Sequence, residues 1–172
     1  MIHLITGGAG SGKSEYAESQ ILSSGCRNRL YIATMSIGTD PENIERVRRH
    51  RERRKDMGFQ TIECSLMLSE ITVPEDCAIL LEDLPNLLAN ELYLPNGSGI
   101  HAISRILHGI DHLASSAGKL VIVTDDVFAE GCHYERSTLM YMQLLGLICQ
   151  NLTSMADRVT EVVYGIPIEV KR

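Results

Sequence analysis

The sequence predicts an α/β fold in which helices flank a mostly parallel sheet. Strand-like apolar runs alternate with helix-like segments, which is typical of parallel βαβ units. The runs are Ile2–Thr6, Leu30–Thr34, Ala78–Glu82, Leu120–Thr124 and Val159–Tyr164. A glycine-rich stretch, Gly7–Ser14, follows directly on the first run. Because the chain of 172 residues has no linker-like stretch, we expect one domain over residues 1–172.

The glycine-rich stretch has the phosphate-binding pattern G-x-x-x-x-G-K-[ST], which joins a strand to a helix in a P-loop NTPase-like fold. Backbone N–H groups of such a turn point at one spot, where they bind phosphate oxygens. Lys13 adds a positive charge, and the hydroxyl of Ser14 can ligate Mg²⁺. The following segment, Glu15–Leu22, predicts a helix with Ala17 and Ile21 on one face. The candidate nucleotide-binding residues of the loop are Gly7, Gly8, Ala9, Gly10, Ser11, Gly12, Lys13 and Ser14.

Composition narrows the classes of protein to which the chain can belong. A net charge of −6 disfavours bulk binding of nucleic acid. The five cysteines are widely spaced and form no C-x-x-C pair, which favours free thiols in a reducing compartment. The N-terminus begins with a strand-like run instead of a signal sequence, and no apolar run approaches the roughly 18 residues that span a bilayer. We therefore expect a cytoplasmic protein without a membrane span.

A basic helix is predicted over Asp40–Lys55, which starts with a capping aspartate followed by a proline. Spacing of three and four residues places His50 on one face with Arg46 and Arg54. Near the phosphate loop, the arginines could grip a triphosphate and favour the neutral imidazole that a nucleophile requires. Spacing alone leaves a second interpretation open, a solvated basic helix with an incidental histidine. Because the helix lacks aromatic residues for stacking, binding of nucleic acid is disfavoured.

Carboxylates follow several of the predicted strands. Glu82 is the first candidate to hold Mg²⁺ at such a strand end, and Asp83 is the second. Glu63 closes a further segment and could bind a ribose hydroxyl or a guanine edge. Asp125 and Asp126 follow the fourth run, where they could act as a base, bind a second metal or cap the next turn. The apolar segment Leu139–Leu145 predicts core packing.

The order of these motifs resembles the bifunctional adenosylcobinamide kinase/adenosylcobinamide-phosphate guanylyltransferase family of cobalamin biosynthesis. The most specific match is the phosphate loop followed by Arg46–Arg54, which fits the family's R-I-x-x-H-R-x-x-R signature. The matching segments cover most of the chain. They are Ile5–Ser14, Tyr31–Thr34, Arg46–Arg54, Thr61–Glu63, Glu82, Asn90, Ala156-Asp157 and Gly165–Pro167.

The resemblance implies two reactions and their residues. His50 would attack the α-phosphate of GTP, and the GMP would then pass to cobinamide phosphate. Lys13 and the phosphate loop would position ATP or GTP for γ-phosphoryl transfer to the hydroxyl of the cobinamide aminopropanol, with Mg²⁺ held by Ser14 and Glu82. The family suggests a homo-oligomer. Nucleotide contacts outside the loop carry over to Thr34, Met35, Ser36, Arg51, Glu52, Arg53, Arg54, Glu63 and Glu82.

The chain departs from the family pattern mainly in its C-terminal third. Asp125-Asp126-Val127-Phe128 replaces a family Asn-Glu-Val-Gly turn, Leu139 replaces an arginine, and Cys149 replaces an asparagine. In addition, Phe59 replaces a tryptophan. Two alternatives therefore stay open beside the bifunctional enzyme. One is a P-loop small-molecule kinase without a histidine intermediate, and the other is a nucleotide-dependent binding module without catalysis.

Overall fold

The structure is a computed structural model that describes residues 1–35, 45, 48, 52, 54–126 and 134–172. Within these ranges the strands are β1 (Ile2–Thr6), β2 (Asn28–Ala33), β3 (Gln60–Glu63), β4 (Cys77–Glu82), β5 (Lys119–Val123), β6 (Arg158–Val163) and β7 (Ile166–Lys171). They form one sheet in the order β3-β2-β4-β5-β1-β6-β7. Only the β6–β7 pair is antiparallel among these strands. The predicted α/β fold with a mostly parallel sheet is confirmed.

Helices cover both faces of this sheet. They are α1 (Lys13–Leu22), α2 (Leu84–Tyr93), α3 (Ala102–Ser116) and α4 (Arg136–Met155), with 3-10 turns at Leu68–Glu70 and Gly99–His101. Helix α1 packs on one face of the sheet, where Ala17 and Ile21, which were predicted to share a helix face, are fully buried beside Val121. Helices α2, α3 and α4 enclose a larger core on the other face, which includes Leu81 and Ile110.

The five predicted strands are all present, with ends displaced by at most two residues. Strands β4 and β5 are buried at every position, because both of their faces are covered by helices. This burial explains why their sequences are continuously apolar instead of alternating.

Strands β3 and β7 are not among the five predicted strands. Strand β7 follows β6 through a two-residue turn at Tyr164 (φ +49°) and Gly165 (φ +81°). Its apolar residues Ile166, Ile168 and Val170 alternate with other residues and are exposed, so the period-two pattern marks an edge strand instead of a buried one.

The core-packing prediction for Leu139–Leu145 is wrong in its first half. Leu139 and Met140 are each 47% exposed, whereas Leu145 is fully buried. The reason is that α4 buries a single stripe of residues, and only the second half of the segment reaches the core. Within the described ranges no helix, α4 included, has the length and hydropathy to cross a membrane.

The basic helix falls largely outside the described residues. Glu45, Arg48, Glu52 and Arg54 are helical, in agreement with the prediction. The remaining predicted site residues of this region are not described: Ser36, Arg46, His50, Arg51 and Arg53.

Candidate nucleotide-binding site

The carboxyl ends of the parallel strands meet at one edge of the sheet. Register pairs Ala33, the last residue of β2, with Glu63 on β3 and with Glu82 on β4. Strands β1 and β5 are likewise paired at their ends, Ile5 with Val123. The phosphate loop and the candidate carboxylates therefore lie along the edge where parallel α/β sheets bind ligands.

The phosphate loop connects β1 to α1, as predicted. Gly10 (φ +70°) and Gly12 (φ +90°) adopt left-handed backbone conformations that favour glycine. A Cβ atom on Gly12 would also lie 3.3 Å from the Cα atom of Gly165, so the loop and the β6–β7 turn are in close contact. Helix α1 begins at Lys13, and its first N–H groups, which have no partner within the helix, are suited to bind an anion.

Lys13 makes two polar contacts at the rim of the loop. Its Nζ atom lies 2.7 Å from Oδ1 of Asp125 and donates to the carbonyl oxygen of Gly8 at 3.1 Å. The side chain of Lys13 is 11% exposed and that of Asp125 is 31% exposed. The ammonium group is therefore held beside the phosphate-binding backbone by a residue that replaces the family's asparagine.

Glu82 joins the phosphate loop to β2. The hydroxyl of Ser14 donates to Glu82 Oε1 at 2.5 Å, and the hydroxyl of Tyr31 donates to Glu82 Oε2 at 2.9 Å. Burial and the adjacent Glu82 charge raise the pKa of Tyr31, so the phenol stays a donor. A hydroxyl and a carboxylate are the oxygen ligands that Mg²⁺ prefers. No cluster of three or more His, Cys, Asp or Glu side chains arranged for a metal occurs within the described ranges.

Asp83 caps helix α2 directly behind Glu82. Its Oδ1 atom accepts from the backbone N–H of Asn86 at 2.8 Å and also from the Asn86 side chain. Burial is the main reason that the pKa of Asp83 is raised to about 6; the hydrogen bond from the Asn86 N–H lowers this pKa, and the negative charges of Asp125 and Glu82 raise it. A carboxyl group with this pKa titrates near neutral pH at the edge of the site.

Thr34 is fully buried at the end of β2. Its hydroxyl donates to the carbonyl oxygen of Asp83 at 2.7 Å and accepts from the Asp83 N–H at 2.8 Å. Its own carbonyl oxygen accepts from the side chain of Asn90 at 2.8 Å. Thr34 and Asn90 thus tie β2 to β4 and α2, and a direct nucleotide contact from Thr34 stays a prediction.

Arg54 is buried between β2 and α1, with 6% of its surface exposed. Its Cζ atom lies 3.5 Å from the centre of the Tyr31 ring, and its Nη1 atom lies 3.8 Å from Glu18 Oε1. The Nε and Nη1 atoms of Arg54 are buried and have no hydrogen-bond partner among the described residues. The last arginine of the basic helix is therefore linked through Tyr31 to Glu82.

The structure brings part of the predicted site together. Lys13, Ser14 and Glu82 meet around the phosphate loop, and Arg54 reaches Glu82 through Tyr31. The other described members are spread along the edge: Glu63 is exposed on β3, Met35 is half-buried after β2, and Glu52 is exposed on the basic helix.

Sequence reasoning assigned no role to Tyr31, although it lies inside the matched segment Tyr31–Thr34. A tyrosine in an apolar strand is the available signal, because a buried phenol hydroxyl needs a hydrogen-bond partner. Its partner, Glu82, becomes apparent only when β2 and β4 are paired.

The residues that depart from the family pattern lie in different parts of the chain. Cys149 Sγ is 3.7 Å from the hydroxyl of Thr124 after β5, and burial raises the pKa of Cys149. The Phe59 ring packs edge to face on Tyr31, with 6.2 Å between ring centres. Leu139 is exposed on α4, and Phe128 lies outside the described residues.

Comparisons with known proteins support the family that the order of motifs resembles. The family model for cobinamide kinase / cobinamide phosphate guanyltransferase matches residues 3–170. The bifunctional adenosylcobalamin biosynthesis protein CobU of Salmonella typhimurium is 31% identical over 99% of this chain and 100% of its own length. The protein of that name from Escherichia coli K12 is 30% identical over the same shares.

Similarity to a solved structure supports the fold alone. The flagellar accessory protein FlaH of Methanocaldococcus jannaschii is 12% identical and superposes with a TM-score of 0.51, covering 99% of this chain and 77% of that chain. The family match extends over the phosphate loop, both candidate magnesium ligands and the basic helix. This chain is therefore a member of the cobinamide kinase / cobinamide phosphate guanyltransferase family, whose enzymes are transferases.

Proposed function

We propose that this chain phosphorylates adenosylcobinamide and then transfers GMP from GTP to the resulting phosphate through a guanylyl intermediate on His50. The observation that carries the proposal is the contact between Ser14 and Glu82 beside Lys13, since it places a phosphate-binding loop and a carboxylate at one point. Family membership supports both half-reactions.

The kinase half-reaction uses the phosphate loop to hold a nucleoside triphosphate. Backbone N–H groups of the loop bind the phosphate oxygens, and the ammonium of Lys13 leaves Asp125 to bind the β- and γ-phosphates. The oxygen of the acceptor hydroxyl attacks the γ-phosphorus and its proton is released to water, while the bond from that phosphorus to the β,γ-bridging oxygen breaks and nucleoside diphosphate leaves. The donor is ATP or GTP.

The guanylyl half-reaction requires a nucleophile at the α-phosphorus instead. A ring nitrogen of His50 attacks this phosphorus, the bond to the α,β-bridging oxygen breaks, and pyrophosphate leaves with both electrons of that bond. A phosphate oxygen of adenosylcobinamide phosphate then attacks the same phosphorus and releases the imidazole. The arginines that flank His50 in the sequence would balance the phosphate charges during both steps.

Ser14 and Glu82 are the residues that would hold Mg²⁺. The pair fits the ion in kind, because it brings one hydroxyl and one carboxylate oxygen together at the loop, where the cation would replace the hydrogen bond between them. The bound cation neutralises charge that develops on the phosphates. The second carboxylate oxygen of Glu82 stays oriented by the Tyr31 hydroxyl.

The cellular location, domain organisation and oligomeric state of the enzyme are also proposals. The described cysteines are free thiols, which suits a cytoplasmic enzyme. We propose that residues 1–172 act as one nucleotide-binding domain and that the chain forms a homo-oligomer, which light scattering would measure.

The test uses two labels on GTP and one acceptor. With α-labelled GTP, label should first appear on the protein and should move to a corrinoid product when adenosylcobinamide phosphate is added. With γ-labelled GTP or ATP, label should pass to adenosylcobinamide. Transfer of the γ-label without any α-label on the protein would support a plain small-molecule kinase, and absence of both transfers would support a binding module.

A further inference from the structure

A cavity of about 270 Å³ lies between the phosphate loop and the end of β6, and β6 lies on the opposite side of β1 from β4, the strand of Glu82. One wall is Gly8–Ser11 of the loop, and the other is Glu161–Tyr164 at the end of β6. We infer that this cavity binds the purine base of the phosphoryl donor in the kinase half-reaction, with the ring of Tyr164 stacked on that base. The inference rests on the proposed function, because it assigns a place to one of its two nucleotides.

The β6–β7 turn is fixed on the phosphate loop. The N–H of Gly165 donates to the carbonyl oxygen of Ser11 at 2.7 Å, and no side chain could be added at Gly12 without pressing on Gly165. Tyr164 therefore stands at a defined position beside the loop, although 93% of its surface is exposed. A large aromatic ring this exposed gains from a flat ligand, because stacking removes apolar surface of both from water.

The cavity has polar groups as well as the ring. Ser11 lines it, is 8% exposed, and has a buried hydroxyl without a hydrogen-bond partner among the described residues. Glu161 lines the opposite wall, and a carboxylate accepts from the ring N–H or amino groups that purine bases carry. A phosphate-binding backbone, a carboxylate and an exposed aromatic ring are together the chemistry of a nucleotide site.

The location separates this cavity from the residues expected to contact GTP. In the sheet, β6 and β7 lie on one side of β1, whereas β5, β4, β2 and β3 lie on the other. Glu63, which could bind the ribose or the guanine edge of GTP, belongs to the second side, as do Thr34 and Glu82, which the family resemblance assigns to the nucleotide. One phosphate loop thus has a base position on each side, one for each half-reaction.

The first experiment uses Tyr164→Trp as a reporter, because the natural chain contains no tryptophan. ATP with Mg²⁺ should quench the fluorescence of this residue, and inorganic tripolyphosphate with Mg²⁺ should not, since it fills the phosphate loop without a base. Calorimetry on the same variant measures whether each compound binds. Equal quenching by both compounds, or binding of ATP without quenching, would overturn the inference and leave the proposed function intact. Failure of both compounds to bind would overturn the proposed function and this inference with it.

The second experiment separates the two half-reactions. Tyr164→Ala should raise the KM of the phosphoryl donor about fivefold or more, while the rate of His50 guanylylation by GTP stays unchanged. Tyr164→Phe should keep the parent KM because it keeps the ring. Tyr93→Ala is the matched control, as Tyr93 is also exposed (57%) but ends helix α2. An equal loss in both half-reactions, or an unchanged donor KM in Tyr164→Ala, would contradict a kinase-specific base site.

Discussion

Lys13 Nζ and Asp125 Oδ1 lie 2.7 Å apart, so the cation of the phosphate loop is paired with a carboxylate. A triphosphate that binds Lys13 meets this carboxylate at the same ammonium group. The asparagine typical of the family at this position would offer no negative charge. Asp125 therefore competes with the nucleotide for the same ammonium group.

We expect Asp125→Asn to bind tripolyphosphate about three- to tenfold more tightly than the natural chain. The magnitude is that of one partly exposed ion pair, and the gain should shrink at high salt. Calorimetry at two salt concentrations measures it. Asp126→Asn is the control with the same change of charge one residue away. Weaker binding in Asp125→Asn would mean that the carboxylate supports nucleotide binding instead of opposing it.

Tyr31→Phe should impair magnesium binding more than nucleotide binding. The change removes the hydroxyl that donates to Glu82 Oε2 and leaves the carboxylate free to turn. Groups that orient a metal ligand commonly affect metal affinity by tenfold or more, and we expect the Mg²⁺ concentration for half-maximal activity to rise at least about threefold. A magnesium titration at saturating ATP measures this concentration. An unchanged titration would show that Ser14 alone is enough to position Glu82.

Arg54 should act as an anchor of the basic helix. Because its guanidinium is buried against Tyr31 and Glu18, we expect Arg54→Ala to lower the free energy of unfolding by about 2 kcal/mol or more. Arg54→Lys should not restore it, since an ammonium does not stack as a planar group. Urea unfolding measures the loss. A variant with full stability but weaker GTP binding would favour the direct nucleotide contact that the family resemblance implies.

Asp83 should make stability depend on pH. Its pKa is raised from 3.8 to about 6, so between these values the folded chain binds a proton that the unfolded chain has released. The free energy of unfolding therefore falls as pH rises from about 4 to about 6, by an amount of order 2–3 kcal/mol from this group. Urea unfolding at pH 4.5 and pH 7 should show a smaller difference in Asp83→Asn than in the natural chain. An equal difference would assign the dependence to other groups.

Local patterns made part of this structure predictable. The strand, glycine loop and helix around Lys13 are contiguous, and the continuous apolar runs of β4 and β5 reflect burial on both faces. The ion pair of Lys13 with Asp125 depends on the pairing of β1 with β5, which no local pattern contains. The exposure of Leu139 likewise depends on which stripe of α4 meets the core. Strand β7 has only a short apolar alternation, and its pairing with β6 is what defines it as the edge strand.

The site was predictable in its residue types but not in its contacts. Ser14 and Glu82 each belong to a recognisable motif, and their meeting follows from the common edge of the parallel strands. Tyr31 and Arg54 belong to different motifs, and their stacking arises from tertiary packing between β2 and the basic helix.

The most direct test of the central claim is the covalent adduct on His50. Incubation with α-labelled GTP and Mg²⁺ should produce a protein adduct that is stable to base and labile to acid, as a phosphorus–nitrogen bond requires. The adduct should be absent in His50→Ala and present in His101→Ala, a control that changes an exposed histidine on another segment. An unchanged yield of adduct in His50→Ala would contradict the guanylyl-histidine account.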